Sequence, residues 1–362
     1  MRPGALDRGY ASHVDDVIEV RGEERFELDG LVGWMRRQGS LPEGTPRVRQ
    51  FAGGKANLTY LLEFSDGTDL VLRRPPLGPV AAGAHDMARE YRVLSRLWRS
   101  FDKAPQALAF CDDPSLIGTP FFLMERKPGV VVREVVPDRF GGGADPEANR
   151  KLSEVVVDTL VELHSVDPSG CDLGDLGHPD GFLERQVEGW WGRWERARHE
   201  DNPVAEEVGA WLRSNVPRSG LPTLIHNDWR LDNMAVSETD PGVCVAVYDW
   251  DMATRGDPLA DLGTLMASWY DEGEERSALV PMPTTAPGWL DRESALERYG
   301  RRSGRDLADA RWYVVFGTWK LAVVLQQIYI RWLRGQTSDP RFEPLGEGAR
   351  ALFRLSDTRR AG

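Results

Sequence analysis

Hydrophobic and polar positions change period repeatedly along the chain. Residues 28–38 (LDGLVGWMRRQ) place Leu28, Leu31, Val32 and Met35 at helical spacing, which predicts a short amphipathic helix. The following stretch, RVRQFAGGKANLTYLLEFSDGTDLVLRRP, alternates instead and predicts three strands. The first ends at Gly53-Gly54, the second covers about 58–64, and the third covers about 69–74 until Pro75-Pro76 stops it. The SDGT tetrapeptide at 65–68 is a hairpin turn. Residues 84–99 return to helical spacing through Met87, Tyr91, Leu94 and Leu97. Short strands follow near 107–111 and 120–125, and KPG at 127–129 breaks the chain. Beyond it the pattern is helical, at about 148–166, 181–198, 203–214, 258–270, 291–301, 306–333 and 341–355. Two short apolar strands interrupt it, TLIHNDWRLDNMAV and VCVAVYDWD, each beside a loop crowded with polar groups.

These elements predict an α+β, bilobal protein. An extension with one helix (1–46) precedes a small lobe (47–126) of five antiparallel strands and one helix; a larger, mainly helical lobe (127–362) follows. A chain of 362 residues with 41% apolar residues buries a core without staples. Its three cysteines are too few and too scattered for a disulfide framework or a zinc site, which suggests a reduced, cytoplasmic protein. The net charge of −12 argues against a nucleic-acid backbone as partner. The N-terminus has no apolar run of a signal peptide, and Lys320, Gln326, Gln327 and Arg331 interrupt the apolar stretch 313–333, so that a buried helix is expected there and not a membrane span. Charge is uneven: residues 51–300 hold 25 basic against 42 acidic side chains. That excess suits a metal-bound or cationic ligand, or simply a solvated surface.

The chemistry concentrates in His226-Asn227-Asp228-Trp229-Arg230-Leu231-Asp232-Asn233, followed by Asp249 at the end of an apolar run. Carboxylate and carboxamide oxygens on adjacent strand ends are hard ligands that suit Mg²⁺, which takes its remaining ligands from water and substrate phosphates. A further Asp beside them can accept or orient a hydroxyl proton. The spacing, H-x-D, Asn five residues after the Asp, then a strand-borne Asp, is that of a kinase catalytic loop. Upstream, Gly53, Gly54 and Asn57 lie in a turn whose backbone amides can cradle phosphates, though a Gly-Gly hairpin is also an ordinary turn; it is no Walker loop, because Ala follows Lys55. Arg73 on the third strand and Glu90 on the next helix form a candidate phosphate-holding pair. Arg74 competes from the opposite face.

The segments FAGGKANLTYLL, LVLRRPP, AREYRVLSRL, PFFLMERKPG, FLERQVEGWWGRWERA, LIHNDWRLDN and VYDWDMATRGDPLADLG carry a family pattern over residues 47–270. The chain resembles the aminoglycoside phosphotransferases, kinase-like enzymes acting on small molecules, and within them the branch fused to acyl-CoA dehydrogenases in animals. The resemblance implies a bilobal protein-kinase-like fold, ATP and Mg²⁺ as cofactors and a small-molecule hydroxyl acceptor. It implies Asp228 as the group engaging that hydroxyl, Asn233 and Asp249 as Mg²⁺ ligands, and Arg73 paired with Glu90. It implies Met124, Glu125 and Arg126 as the hinge beside the adenine, His226 and Asp261 as supports of the loop, and Asp251 in the metal site or just outside it. Arg230 is placed to reach the γ-phosphate or to form a salt bridge on the loop. Two departures stand out: Arg73 replaces the Lys of the broader kinase pattern, and Asn227 stands where the branch more often has Gly.

The branch points to a metabolic hydroxylated acceptor such as a hydroxyacyl thioester in preference to an aminoglycoside. Arg331, Arg334, Arg341, Arg350 and Arg354 either receive an anionic acceptor or form a solvated surface. A catalytically silent nucleotide-binding protein is the alternative, and the complete Asp228, Asn233, Asp249 set argues against it. Asp249 is followed by Trp-Asp and no activation segment is evident, which disfavours a protein kinase. Trp190 and Trp194 share a helix face as core residues or as the floor of an acceptor pocket, the Pro-rich stretch 280–288 reads as a loop or a lid, and His164 and His199 are expected at helix ends facing solvent or capping.

Overall fold

The computed structural model describes residues 17–52, 57–77, 86–275, 282–337 and 340–362. Gly53 and Gly54 of the expected phosphate turn lie outside them, as do the first residues of the helix expected from 84 and the start of the 280–288 stretch. The small lobe is an antiparallel sheet in the order β1-β2-β3-β4-β6-β5, from β1 (Val17–Ile18), β2 (Arg47–Phe51), β3 (Leu58–Glu63), β4 (Asp69–Arg74), β5 (Ala107–Cys111) and β6 (Phe121–Glu125). It has six strands, not five: Val17 and Ile18 of the extension pair with Phe51 and Gln50. A two-residue strand is too short to leave an alternation signal.

Helix α1 (Leu28–Gln38) covers one face of the sheet, packing Leu31, Trp34 and Met35 against Tyr60, Leu62, Leu70 and Leu72. Helix α2 (Met87–Leu97) covers the other with Met87, Val93, Leu94 and Leu97 against Val71, Phe122 and Met124. Central β4 is therefore buried on both faces. Odd-numbered Arg73 falls on the α2 side with Val71, and even-numbered Arg74 falls on the α1 side with Leu70 and Leu72. The carboxylate of Asp86 caps α2 by accepting the Arg89 amide, and Glu90 sits on the buried face one turn in.

After β6 the chain crosses to the large lobe through β7 (Val130–Val131), which pairs with β9 (Met234–Val236) in the order β10-β9-β7, with β10 at Cys244–Val247. A second pair joins β8 (Thr223–Ile225) to β11 (Thr254–Gly256). Around them stand α3 (Pro146–His164), α4 (Phe182–Ala197), α5 (Pro203–Ser214), α6 (Pro258–Ala267), α7 (Arg292–Ser303), α8 (Ala310–Leu333) and α9 (Leu345–Ala361).

Helix α8 is long and apolar enough to cross a membrane by composition, yet two-thirds of its most apolar stretch is buried inside the protein. It crosses α6 at two glycines: a Cβ on Gly263 would lie 2.2 Å from the Tyr313 carbonyl, and one on Gly317 would lie 2.1 Å from the Gly263 carbonyl. That close approach holds the first turn of α6 under the β8 loop. Trp190 and Trp194 belong to the core between α4, α5, α8 and α9. The described part of the 280–288 stretch is packed down, with Met282 and Thr284 buried and Pro287 accepting a bond from Asn149. His164 corrects the expectation of a solvent-facing or capping group. It is buried between the Tyr299 hydroxyl at 2.8 Å and Asp261, because α6 and α7 close over the end of α3. His199 bonds Gln326 of α8 at 3.0 Å.

Candidate active site

The loop after β8 carries the site. Asp261, fully buried in the first turn of α6, accepts the amide of His226 at 2.5 Å and the amide of Asn227 at 2.6 Å. Two backbone donors of the loop thus end on one carboxylate. His226 Nδ1 accepts the Asp228 amide at 3.3 Å, and Nε2 donates to the Tyr248 carbonyl at 2.8 Å. The ring thus ties the Asp228 amide to the Tyr248 carbonyl across the loop. Asn227 takes φ +67°, the left-handed region that favours glycine, which accounts for the departure at this position: Asn is among the few side chains that tolerate it.

Asp228 follows with its carboxylate one-third exposed. Asn233 Nδ2 donates to the Asp228 carbonyl at 2.8 Å and to Oδ2 at 2.9 Å, and Arg230 Nε lies 3.4 Å from Oδ1. Burial pushes the Asp228 carboxyl up, but Arg230, the Asn233 bond and Lys320 outweigh it and hold the group below the usual carboxylate range. Arg230 also reaches Asp232 at 3.3 Å, so it holds a bridge across the loop. The Tyr248 amide donates to the Asn233 carbonyl at 2.7 Å, tying Asp249 to the Asn233 side of the loop. Asp249 itself sits at φ +65°.

The two lobes meet at Arg73. Its Nε donates to Glu90 Oε2 at 2.8 Å, and its Nη2 forms an ion pair with Asp249. Glu90 is buried, which pushes its carboxyl up, to about 7, against the pull of Arg73. Arg74 is spoken for elsewhere: it bonds the Tyr60 hydroxyl and the Ile117 and Glu24 carbonyls and lies over the Phe26 and Tyr60 rings. Asn57 Nδ2 approaches Asp251 Oδ2 at 3.4 Å, a second link between the lobes. In the expected hinge, Met124 pairs across the sheet with Val71, Glu125 is tied to Gln106 through its amide and carboxylate, and Arg126 bonds Asp69 at 2.5 Å.

The donor set fits a small divalent cation. Asn233 donates through Nδ2 toward Asp228, which leaves Oδ1 for a ligand, and Asp249 supplies a hard carboxylate at the lobe interface. Among the described residues no three His, Cys, Asp or Glu side chains form a metal cluster.

Lys320 is the neighbour that the pattern of the sequence left unassigned. Its amine donates to the Asn227 carbonyl at 3.2 Å and stands 5.5 Å from the Trp190 ring centroid. Burial, with Arg193 nearby, pushes it below the ordinary lysine range. The available signal was a lone Lys inside an otherwise apolar helix.

Comparison with known proteins gives the family. A model of the phosphotransferase enzyme family matches residues 47–313. Acyl-CoA dehydrogenase family member 11 of Pongo abelii is 30% identical over 357 residues, covering 93% of this chain; the chain spans 43% of that relative's length. A solved Ralstonia eutropha structure named as an aminoglycoside phosphotransferase is 28% identical with a TM-score of 0.80, covering 93% of this chain and 99% of that one. An aminoglycoside phosphotransferase solved with GDP and kanamycin shares the fold at 15% identity and a TM-score of 0.59, over 92% of this chain and 99% of that one. The bilobal frame, the loop after β8 and the extent of the family match lead to one assignment: this chain belongs to the phosphotransferase enzyme family, the kinase-like enzymes acting on small molecules.

Proposed function

We propose that the protein is an ATP- and Mg²⁺-dependent O-phosphotransferase that moves the γ-phosphoryl group to a hydroxyl of a small metabolic compound, such as a hydroxyacyl thioester. The observation that carries this reading is the meeting of Arg73 and Glu90 from the small lobe with Asp249, beside the Asp228–Asn233 bond. Cationic and acidic groups of that order suit a nucleotide triphosphate on one side and a hydroxyl on the other.

Asn233 and Asp249 would hold Mg²⁺, which supplies charge neutralisation on the phosphates. Arg73 holds the phosphates from the small lobe, with Glu90 fixing its guanidinium. Arg230 neutralises charge beside Asp228. The acceptor hydroxyl oxygen attacks the γ-phosphorus in line, the bond to the bridging oxygen breaks, and ADP leaves with that electron pair. Asp228, ionised, orients the hydroxyl and takes its proton as the new ester bond forms. The three cysteines are unpaired and buried, which suits a reducing compartment, and a cytoplasmic location is part of the proposal.

The thioester acceptor is supported by the acyl-CoA dehydrogenase relatives, and an aminoglycoside is the competing acceptor. The test is acceptor-dependent ADP release from Mg²⁺-ATP across hydroxyacyl thioesters, amino alcohols, sugars and aminoglycosides. Asp228→Ala is expected to lower turnover about 10²–10⁴-fold, the range of a positioned proton acceptor. Turnover by that variant near the wild-type value would remove Asp228 from the mechanism. Nucleotide binding with no transfer to any acceptor would favour a silent nucleotide-binding protein.

A further inference from the structure

On the large lobe, α4 and α8 run side by side, with Lys320 near the Trp190 ring and Gln326 bonded to the Ala197 carbonyl. Between their far ends lies an open cleft of about 360 Å³. Arg193 and Arg196 of α4, Arg331 of α8 and Arg334 just after its end line it, over an apolar floor that includes Val324 and Ile328. Among the described residues no carboxylate lines it, and none of the four arginines forms an ion pair or hydrogen bond. Other arginines of this acidic chain are mostly paired: Arg213 with Glu188, Arg298 with Asp158, Arg350 and Arg354 with Glu347. Four like charges around one hollow repel one another, and each lowers the free energy of an anion bound there. Guanidinium forks match the oxygens of a phosphate in particular.

The cleft is joined to the catalytic loop by one helix face. Residues 320, 324, 327, 331 and 334 follow a four-three spacing along α8, so Lys320 and Arg331 lie on the same side. Eleven residues of helix separate their Cα atoms by about 16 Å. At the near end Lys320 bonds Asn227, next to Asp228; on α4, Arg193 lies 4.2 Å from the Trp190 ring centroid that Lys320 also faces.

We propose that the α4–α8 cleft is a binding site for a phosphate monoester, and that this phosphate is the far end of an extended acceptor whose hydroxyl reaches Asp228. The second half rests on the phosphotransferase reading; binding of the anion does not. Such an acceptor has a hydroxyl-bearing tail and an arm long enough to span about 16 Å, and it is a product of reactions that load small hydroxylated compounds onto a phosphate-bearing carrier.

Two measurements test it. The first fills the nucleotide site with Mg²⁺ and a non-hydrolysable ATP analogue, then titrates phenyl phosphate by calorimetry at low salt, with phenol as the uncharged control. Saturable binding of phenyl phosphate, weakened at least about tenfold in Arg196→Glu/Arg331→Glu and unchanged in Arg36→Glu/Arg301→Glu, is expected. Arg196→Gln/Arg331→Gln gives the same direction without charge reversal, so that a folding defect in the first variant is recognised. No saturable binding by wild type, or equal binding by the Arg196/Arg331 variants, overturns the site. The second compares KM for hydroxyacyl thioesters of pantetheine and of its 4′-phosphate. The phosphate is expected to lower KM at least about tenfold in wild type, and the Arg196/Arg331 variants to erase that advantage. Equal KM values in wild type overturn the link to the acceptor. Transfer to neither thioester, with transfer to another hydroxyl compound, overturns the link to the acceptor and leaves the phosphotransferase reading standing; transfer to no acceptor contradicts that reading, while the calorimetry still decides the anion site.

Discussion

Replacing Asp261 by Asn changes one atom and tests how the catalytic loop is held. The carboxylate is fully buried and accepts two backbone amides, from His226 at 2.5 Å and from Asn227 at 2.6 Å, with His164 Nε2 at 3.4 Å. An amide side chain keeps one oxygen acceptor and turns an NH₂ group toward the other backbone N–H. One bond to a charged acceptor, about 1.5–3 kcal/mol, is lost, and a buried donor is left facing a donor at a further cost of about 1–3 kcal/mol. The expected loss of stability is therefore about 3–5 kcal/mol, a large share of the 5–15 kcal/mol typical of a folded protein. Equilibrium urea unfolding followed by tryptophan fluorescence reads it. Because Asp261 touches the loop backbone and His164 but neither Arg73, Glu90 nor Asp249, the variant that remains folded is expected to keep its affinity for Mg²⁺-ATP and to lose about 10²-fold in turnover, the effect of displacing Asp228 by about 1 Å. Stability within about 1 kcal/mol of wild type together with near-normal turnover would refute the bracing role.

Arg73→Lys is expected to raise KM for ATP about tenfold, because one ammonium nitrogen must then serve Glu90, Asp249 and the phosphates, where the guanidinium meets Glu90 and Asp249 through separate nitrogens; an unchanged KM argues against that geometry. At Asn227, φ +67° means that Asn227→Gly should leave stability within about 1 kcal/mol of wild type, whereas Asn227→Val should lose about 1–3 kcal/mol, measured by urea unfolding. Glu274 responds to acid. Burial alone would raise its carboxyl, but bonds from Arg359 and Arg292 prevail and hold it at about 2. Its folded value lies below its unfolded value near 4.3, so the stability it contributes is present above that value and lost as pH falls toward 2. The shift corresponds to at most about 3 kcal/mol, nearer 1–2 after solvent screening. The difference between wild type and Glu274→Gln in unfolding free energy is expected to shrink by that amount between pH 6 and pH 2.5; a constant gap would contradict it.

Periodicity alone located the helices and most strands, because an amphipathic face repeats within a few residues of itself. Helices were expected at 28–38 and 203–214, and α1 and α5 occupy those positions. The loop spacing was equally local: Asp228 and Asn233 are five residues apart and bond each other through a single turn of chain. Contacts that join distant segments were not legible in this way. The two-residue β1 takes its place from Gln50 and Phe51, which lie more than thirty residues on. Whether Arg73 or Arg74 meets Glu90 depends on which face of β4 the helix α2 covers. His164 became a buried partner of Asp261 only when α6 and α7 closed over α3. Lys320 registered in the sequence as an interruption of an apolar run, and its place beside Asn227 follows from the Gly263–Gly317 crossing that sets α8 against the loop. The sequence by itself determined the elements and the chemical groups of the catalytic loop, since those depend on neighbours in the chain. The tertiary structure decided which charges face one another across the lobes and along α4 and α8, since only the packing of distant segments brings residues more than a hundred positions apart within reach of a hydrogen bond.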